Sequence, residues 1–253
     1  LIFPNNIVII QGKTGVHKSR LVESIVSCLL ANDEAGDGNY LGFSRVAGAK
    51  QFRVVYVDTE RNENDQLPYA IQQINRMSGH RQRELVPGLK SFSLIDVPRE
   101  QRHQALQLYL QEFGVDEPDM HTVVVLDVIT DCVANFNDPR DSMGLTDFLN
   151  QQISQRNVTF ICVIHENPGG GDKARGHVGT ELMNKASTIL QIGFQKDSNG
   201  RDTDLLVINN LKNRAGAKVP PVFARYDASM QALVAADEEQ VRQHTDSRRT
   251  KLS

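Results

Sequence analysis

The chain has 253 residues, 40% of them hydrophobic and 23% charged, a balance that fits an ordinary globular protein with a sizeable core and excludes a fibre or a disordered tail. Its 28 Lys and Arg against 31 Asp and Glu leave a net charge of -3, which argues against a surface coated for nucleic acid while leaving room for a local basic site. No apolar run approaches the roughly 18 residues of a membrane span, and the widely spaced Cys28, Cys132 and Cys162 read as reduced thiols, pointing to the cytoplasm. The chain starts at Leu1 rather than Met, so its N-terminus reads as a cropped edge.

The first apolar burst, 7–10, stops at Gly12. After it, Leu21, Val22, Ile25, Val26, Leu29 and Leu30 fall on one helical stripe. Residues 32–51 carry no sustained period and read as a loop. A β-branched run at 54–57, a polar helix at 69–77 and a third strand at 89–95 set a βα rhythm. Leu106, Tyr109, Leu110 and Phe113 repeat at helical spacing before 123–126, a run apolar at every position, as in a strand buried on both faces. Leu145, Phe148, Leu149 and Ile153 mark another helix, and 160–164 another apolar strand. Parallel strands with crossover helices follow from this alternation. Beyond about 188 the rhythm changes to short strands at 189–194, 205–208 and 222–226, expected as antiparallel additions at one edge. The expected organisation is one domain over 1–230 and a polar tail over 231–253 that includes Arg242, Arg248, Arg249 and Lys251.

Between the first strand and its helix lies Gly12-Lys13-Thr14-Gly15-Val16-His17-Lys18-Ser19, which fits G-x-x-x-x-G-K-S at every fixed position except His17. A loop leaving a buried strand and entering a helix curls its backbone N–H groups around an anion, and the helix N-terminus adds positive potential. Residues 12–20, Arg20 included, are the expected nucleotide-binding set. Lys18 reaches the β- and γ-phosphates and Ser19 turns its hydroxyl to a Mg²⁺ ion. His17 must point away from the phosphates for the loop to close. Lys13 opens a rival reading, because the spacing also resembles the deviant loop of partition and division-site ATPases, whose extra lysine reaches across a dimer.

Open α/β sheets place ligands at the carboxyl ends of their strands. There the sequence has Asp58-Thr59-Glu60, Asp127 and His165. Their chemistry forms a set: Asp127 for Mg²⁺, Glu60 to orient and deprotonate water, His165 to sense the γ-phosphate.

With these residues in view, the chain resembles the RecA-like ATPases, and among them the hexameric replicative helicases of the plasmid RepA type, over roughly 5–228. The resemblance implies a mainly parallel α/β sheet flanked by helices, with antiparallel strands at the C-terminal edge. It implies a catalytic glutamate matching Glu60 and a metal-associated aspartate matching Asp127. The polar segment 137–143 and His165 resemble the RepA-type branch. Leu211-Lys212-Asn213-Arg214-Ala215-Gly216 resembles an element whose basic residues enter the neighbouring subunit's site, so Lys212 and Arg214 are the expected trans-acting fingers, with Arg175 a competitor. The glycine-rich basic loop 166–178 is similar to loops that grip DNA backbone in such rings.

The resulting expectation is a cytoplasmic, Mg²⁺-dependent ATPase, assembled as a hexamer or filament, using ATP to unwind or move along single-stranded DNA in plasmid or mobile-element replication. A partition-type dimeric switch and a non-hydrolysing nucleotide-binding module are the alternatives. No membrane partner is expected.

Overall fold

The computed structural model describes residues 2–32, 35, 38, 40–46, 48–49, 51–112, 120–169, 171–214, 216–217 and 219–242. Phe113, Gly170, Ala215, Arg248, Arg249 and Lys251, and part of the segment 32–51, lie outside the described residues.

Among the described residues, nine strands form one sheet in the order β3-β2-β4-β5-β1-β6-β7-β8-β9. The parallel part is β1 (Ile7–Gly12), β2 (Gln51–Asp58), β3 (Leu89–Ser93), β4 (Met120–Asp127), β5 (Val158–His165) and β6 (Thr188–Lys196). Every residue of β1 is buried, as are seven of eight in both β4 and β5. That is why these strands read as unbroken apolar runs: helices cover both faces of a parallel sheet. The crossovers are α1 (Lys18–Leu30), α2 (Gln66–Met77), α3 (Arg99–Glu112), α4 (Pro139–Arg156) and α5 (Gly176–Lys185). One core lies on the α1 and α2 side, around Ile10, Leu21, Tyr56 and Ile74. The other lies on the α3, α4 and α5 side, around Ile9, Leu106, Phe160 and Leu182.

Two expectations are corrected. The strand at 189–194 is not an antiparallel addition: β6 pairs parallel with β1, Val8 opposite Thr188, because the helix α5 provides the crossover a parallel pair requires. Antiparallel pairing starts one strand later, with β7 (Asp202–Asn213) and β8 (Val222–Asp227). The segment 231–253 is not a tail throughout, since β9 (Ala232–Ala235) closes the sheet with Ala232, Leu233 and Val234 buried. Four residues are too few to show a period. Among the described residues no helix is long and apolar enough to cross a membrane.

Strand direction puts Gly12, Asp58, Asp127 and His165 at the same edge of the sheet, since Gly12 pairs with His165 and Asp58 with Asp127. The turn after β8 reaches the same edge, because Leu205 pairs with Arg225.

Candidate active site

The loop between β1 and α1 is shaped by its glycines and by His17. A Cβ on Gly12 would stand 2.4 Å from the Ile192 carbonyl oxygen and 2.7 Å from Val16 Cγ2, so close approach requires glycine there. Gly15 has φ +81 in open space, so backbone conformation alone requires it. His17, the residue before α1, is also left-handed, at φ 62 and ψ 31. For a residue with a Cβ that conformation costs about 1–2 kcal/mol. The imidazole leaves the loop outward and lies parallel to the Tyr226 ring, 5.0 Å between centroids and 5° between planes, with Phe194 edge-on at 6.2 Å. An aromatic pair is worth about 0.5–1.5 kcal/mol beyond its buried area, enough to offset much of the backbone cost. Burial and the nearby Arg20 charge both hold His17 below the ordinary histidine range, which keeps the ring neutral.

Lys18 is buried, and Nζ donates to the Lys13 carbonyl at 2.8 Å and to His165 Nδ1 at 3.1 Å. Neither partner is a carboxylate, so among the described residues the ammonium sits desolvated without a carboxylate bonded to it, and burial lowers its pKa. Such a site fits an anion. Because Lys18 can only donate, Nδ1 of His165 is the acceptor and Nε2 carries the proton. Nε2 stands 3.8 Å from Glu60 Oε1. His165 thereby holds the Glu60 carboxyl below its ordinary value, with Lys18 and Arg61 helping against partial burial. Thr14 Oγ1 lies 3.5 Å from the same Nδ1. Lys13 is exposed, and the Arg20 guanidinium rests 5.6 Å from the centre of the Tyr69 ring.

Asp127 ends β4 and is buried. Burial pushes its carboxyl up to about 6, against the Arg61 charge and the nearby Ser19 and Tyr56 hydroxyls. Mg²⁺ binds through one or two carboxylates, retained waters and substrate phosphates rather than an all-protein cage. The Asp127 carboxylate, with the Ser19 hydroxyl at the start of α1 close enough to lower its pKa, supplies that donor set.

Sequence reasoning missed Arg61. Its guanidinium donates to Asp58 Oδ2 at 2.5 Å, to Glu23 Oε1 at 3.0 Å, to Asp127 Oδ2 at 3.1 Å and to the Tyr56 hydroxyl at 2.8 Å. Tyr56 in turn donates to Asp127 Oδ2 at 2.9 Å, and Arg20 donates to the other Glu23 oxygen at 2.7 Å. The available signal was Glu23 within the apolar stripe of α1, a buried acid that needs a cation. The Asp58 carboxylate also accepts the Glu60 and Arg61 N–H groups, fixing the turn that presents Glu60.

The loop after His165 is tied to the strand ends. Glu166 bridges Ala174, and Glu166 Oε1 accepts from Gln11 and Gln191 at 3.1 and 2.7 Å. The same two amides reach the Asp172 carbonyl and carboxylate at 2.9 and 2.8 Å. Arg175 N–H donates to the His165 carbonyl, while its guanidinium stacks 4.8 Å over Phe136.

Lys212 and Arg214 are not brought to this cluster. Lys212 pairs with Ile189, and Arg214 N–H donates to Ser187, whose own N–H donates to Ile7 at the start of β1. Lys212 Nζ donates to Met183 O at 2.6 Å and to Asn184 O at 3.3 Å, and Arg214 also donates to Asn184 O. Cations on the last carbonyls of α5 satisfy a helix C-terminus.

The overall path of the chain matches those of many solved structures. A crystal structure of the RadB recombinase superposes with a TM-score of 0.62 at 14% identity, covering 93% of each chain. The fold is RecA-like. The crystal structure of the flagellar accessory protein FlaH from Methanocaldococcus jannaschii is similar with a TM-score of 0.60 at 16% identity, covering 93% of this chain and 91% of that one. No protein-family model and no curated protein matches the chain. On this RecA-like fold, Gly12, Lys18, Ser19, Glu60, Asp127 and His165 meet at the carboxyl edge of the parallel strands.

Proposed function

We propose that the chain is a Mg²⁺-dependent ATPase whose site lies at the mouth of the loop 12–19. The observation that carries this is the buried Lys18 ammonium, which among the described residues is bonded to the Lys13 carbonyl and His165 alone, with Ser19 and the buried Asp127 beside it. In this reading the loop N–H groups and Lys18 bind the phosphates, and residues from Lys13 to Arg20 line the tail of the nucleotide. Arg20, Arg61, Asp65, Gln66 and Tyr69 line a hollow of about 440 Å³ beside the loop, large enough for part of a nucleoside. Mg²⁺, held through Ser19 and Asp127, supplies neutralisation of charge on the phosphate oxygens. Glu60 accepts a proton as water attacks the γ-phosphorus and the bond to the β-γ bridging oxygen breaks, releasing ADP and phosphate. Its lowered pKa keeps it ionised for that role. His165, donating from Nε2 towards Glu60 and accepting from Lys18, links the general base to the phosphate-binding lysine.

Lys212 and Arg214 serve a neighbouring copy in this reading, which makes the working form a hexamer or filament. Arg175, stacked on Phe136, is the competing finger. The glycine-rich loop 166–178 is assigned to single-stranded DNA, with unwinding or translocation in plasmid or mobile-element replication as the biological setting. The partition-type dimer keeps one supporting observation, the exposed Lys13.

Turnover of Mg-ATP by the purified protein tests the reading. Lys18→Ala abolishes nucleotide uptake, and Glu60→Gln retains uptake while turnover falls about 10²–10⁴-fold. Undiminished hydrolysis by Glu60→Gln removes Glu60 from the mechanism. Loss on Arg214→Ala but not Lys13→Ala separates the ring or filament from the partition-type dimer, and turnover indifferent to single-stranded DNA at low salt sets the DNA assignment aside.

A further inference from the structure

We propose that Tyr226 is a positioning residue for the nucleotide site: its ring holds the His17 imidazole, and through it keeps the last residue of the loop in the left-handed conformation that shapes the loop for phosphate. This deepens the ATPase reading and rests on it.

Position 17 is where the loop turns into α1, and its carbonyl accepts the first helical bond, from Leu21 at 3.1 Å. The sign of φ there decides which way the preceding N–H groups face. Glycine reaches φ 62 without a steric cost, whereas a histidine needs something outside the loop to hold it. Two rings do this. Phe194 from β6 meets the imidazole edge-on at 81°, and Tyr226 from β8 lies flat against it at 5°.

Tyr226 is itself fixed. It pairs with Leu233 of β9, and the next residue, Asp227, accepts from the Ser229 hydroxyl and N–H and from the Met230 N–H, closing the turn. Arg76 at the end of α2 donates to the Met230 carbonyl and docks that turn on the helical layer. The ring therefore stands on an anchored strand end, while the residue it steadies belongs to the loop. Strands β8 and β9, which carry none of the expected catalytic groups, thereby become part of the nucleotide site.

A thermodynamic cycle over His17→Gly and Tyr226→Ala tests this, reading Mg-ATP and Mg-ADP affinity by calorimetry. In the His17 protein, Tyr226→Ala weakens both nucleotides about twofold to tenfold, the equivalent of one lost ring stack, and Tyr226→Phe restores the parent affinity. In the His17→Gly background the same Tyr226→Ala substitution has no measurable effect, because glycine holds the conformation alone. Equal weakening in both backgrounds overturns the proposal and makes Tyr226 a direct nucleotide contact. No weakening in either overturns it as well. The same cycle in urea unfolding, without nucleotide, tests the stack separately: the two substitutions are expected to couple, and additive effects refute the stack. A parent protein that takes up no nucleotide while the unfolding cycle still couples overturns the ATPase reading, and with it the nucleotide role of Tyr226, but not the stack.

Discussion

Replacing Arg61 by Met keeps the length of the side chain and removes the one group among the described residues that bonds Asp58, Glu23 and Asp127 at once. The three acids are 1–3% exposed and the Arg61 side chain 20%. The variant therefore leaves buried carboxylates without their shared cation. Breaking one buried pair from one side costs about 3–5 kcal/mol, and pairs that share a guanidinium do not add. For a chain of this size that is a fall in Tm of about 6–20 °C. The pH dependence adds a second signature. The Asp127 carboxyl already stands at about 6, above its unfolded value, because of burial. Without Arg61 it moves higher still. An acid whose folded pKa is raised loses folded stability as pH rises through the interval between its unfolded and folded values. The deficit of Arg61→Met relative to the parent is thus smallest near about pH 5 and widens towards about pH 8. Urea unfolding at several pH values with a magnesium chelator present measures both. A loss under about 1 kcal/mol that does not change with pH refutes the reasoning, since it would mean solvent already compensates these acids. Arg61→Lys is expected to recover little, because an ammonium does not present the planar fork that reaches three acceptors.

Mixed oligomers provide the next check. Glu60→Gln and Arg214→Ala are each expected to be nearly inactive alone, and mixing them restores turnover at the interfaces that combine an intact Glu60 with an intact Arg214; no recovery places the arginine outside the neighbour's site. Arg214→Ala also gives up a bond to the end of α5, so its thermal stability drops by only about 0.3–1 kcal/mol while turnover falls about 10³-fold or more. A stability loss large enough to account for the activity loss would make Arg214 structural only. The three thiols are free and buried, with Cys132 pushed up to about 12 by burial and Cys162 higher. Alkylation at neutral pH should therefore wait for unfolding, and prompt labelling of native Cys162 would contradict the packing of β5.

The parallel half was legible because strands sandwiched between helices carry no polar alternation, so Val123 to Leu126 and Phe160 to Ile164 announce themselves. The loop at 12–19 was legible because its neighbours in sequence are also its neighbours in space. Direction is harder to read. Nothing in the composition of β6 distinguishes a strand that returns parallel after α5 from one that turns back, and β9 is only four residues long. The Arg61 cluster draws on α1, β2, the turn after β2 and β4, so no window of sequence contains it. Tyr226 was read as a strand residue and nothing more, because what gives it a task is His17, more than two hundred positions earlier.

Lys212 and Arg214 stand level with the first residues of β1, whereas Gly12 ends that strand. The molecule is therefore a vector, with the proposed nucleotide site at the tip and Lys212 and Arg214 at the tail. A copy that offers its tail to another's tip must point the same way, and the third copy repeats the step, so such contacts propagate until rotation closes them or a fibre grows. Lys13 sits at the tip and reaches a second nucleotide only if two copies meet tip to tip, which satisfies both partners and ends growth at two. Stoichiometry alone, measured with nucleotide present, therefore distinguishes the two lysine and arginine chemistries before any rate is measured.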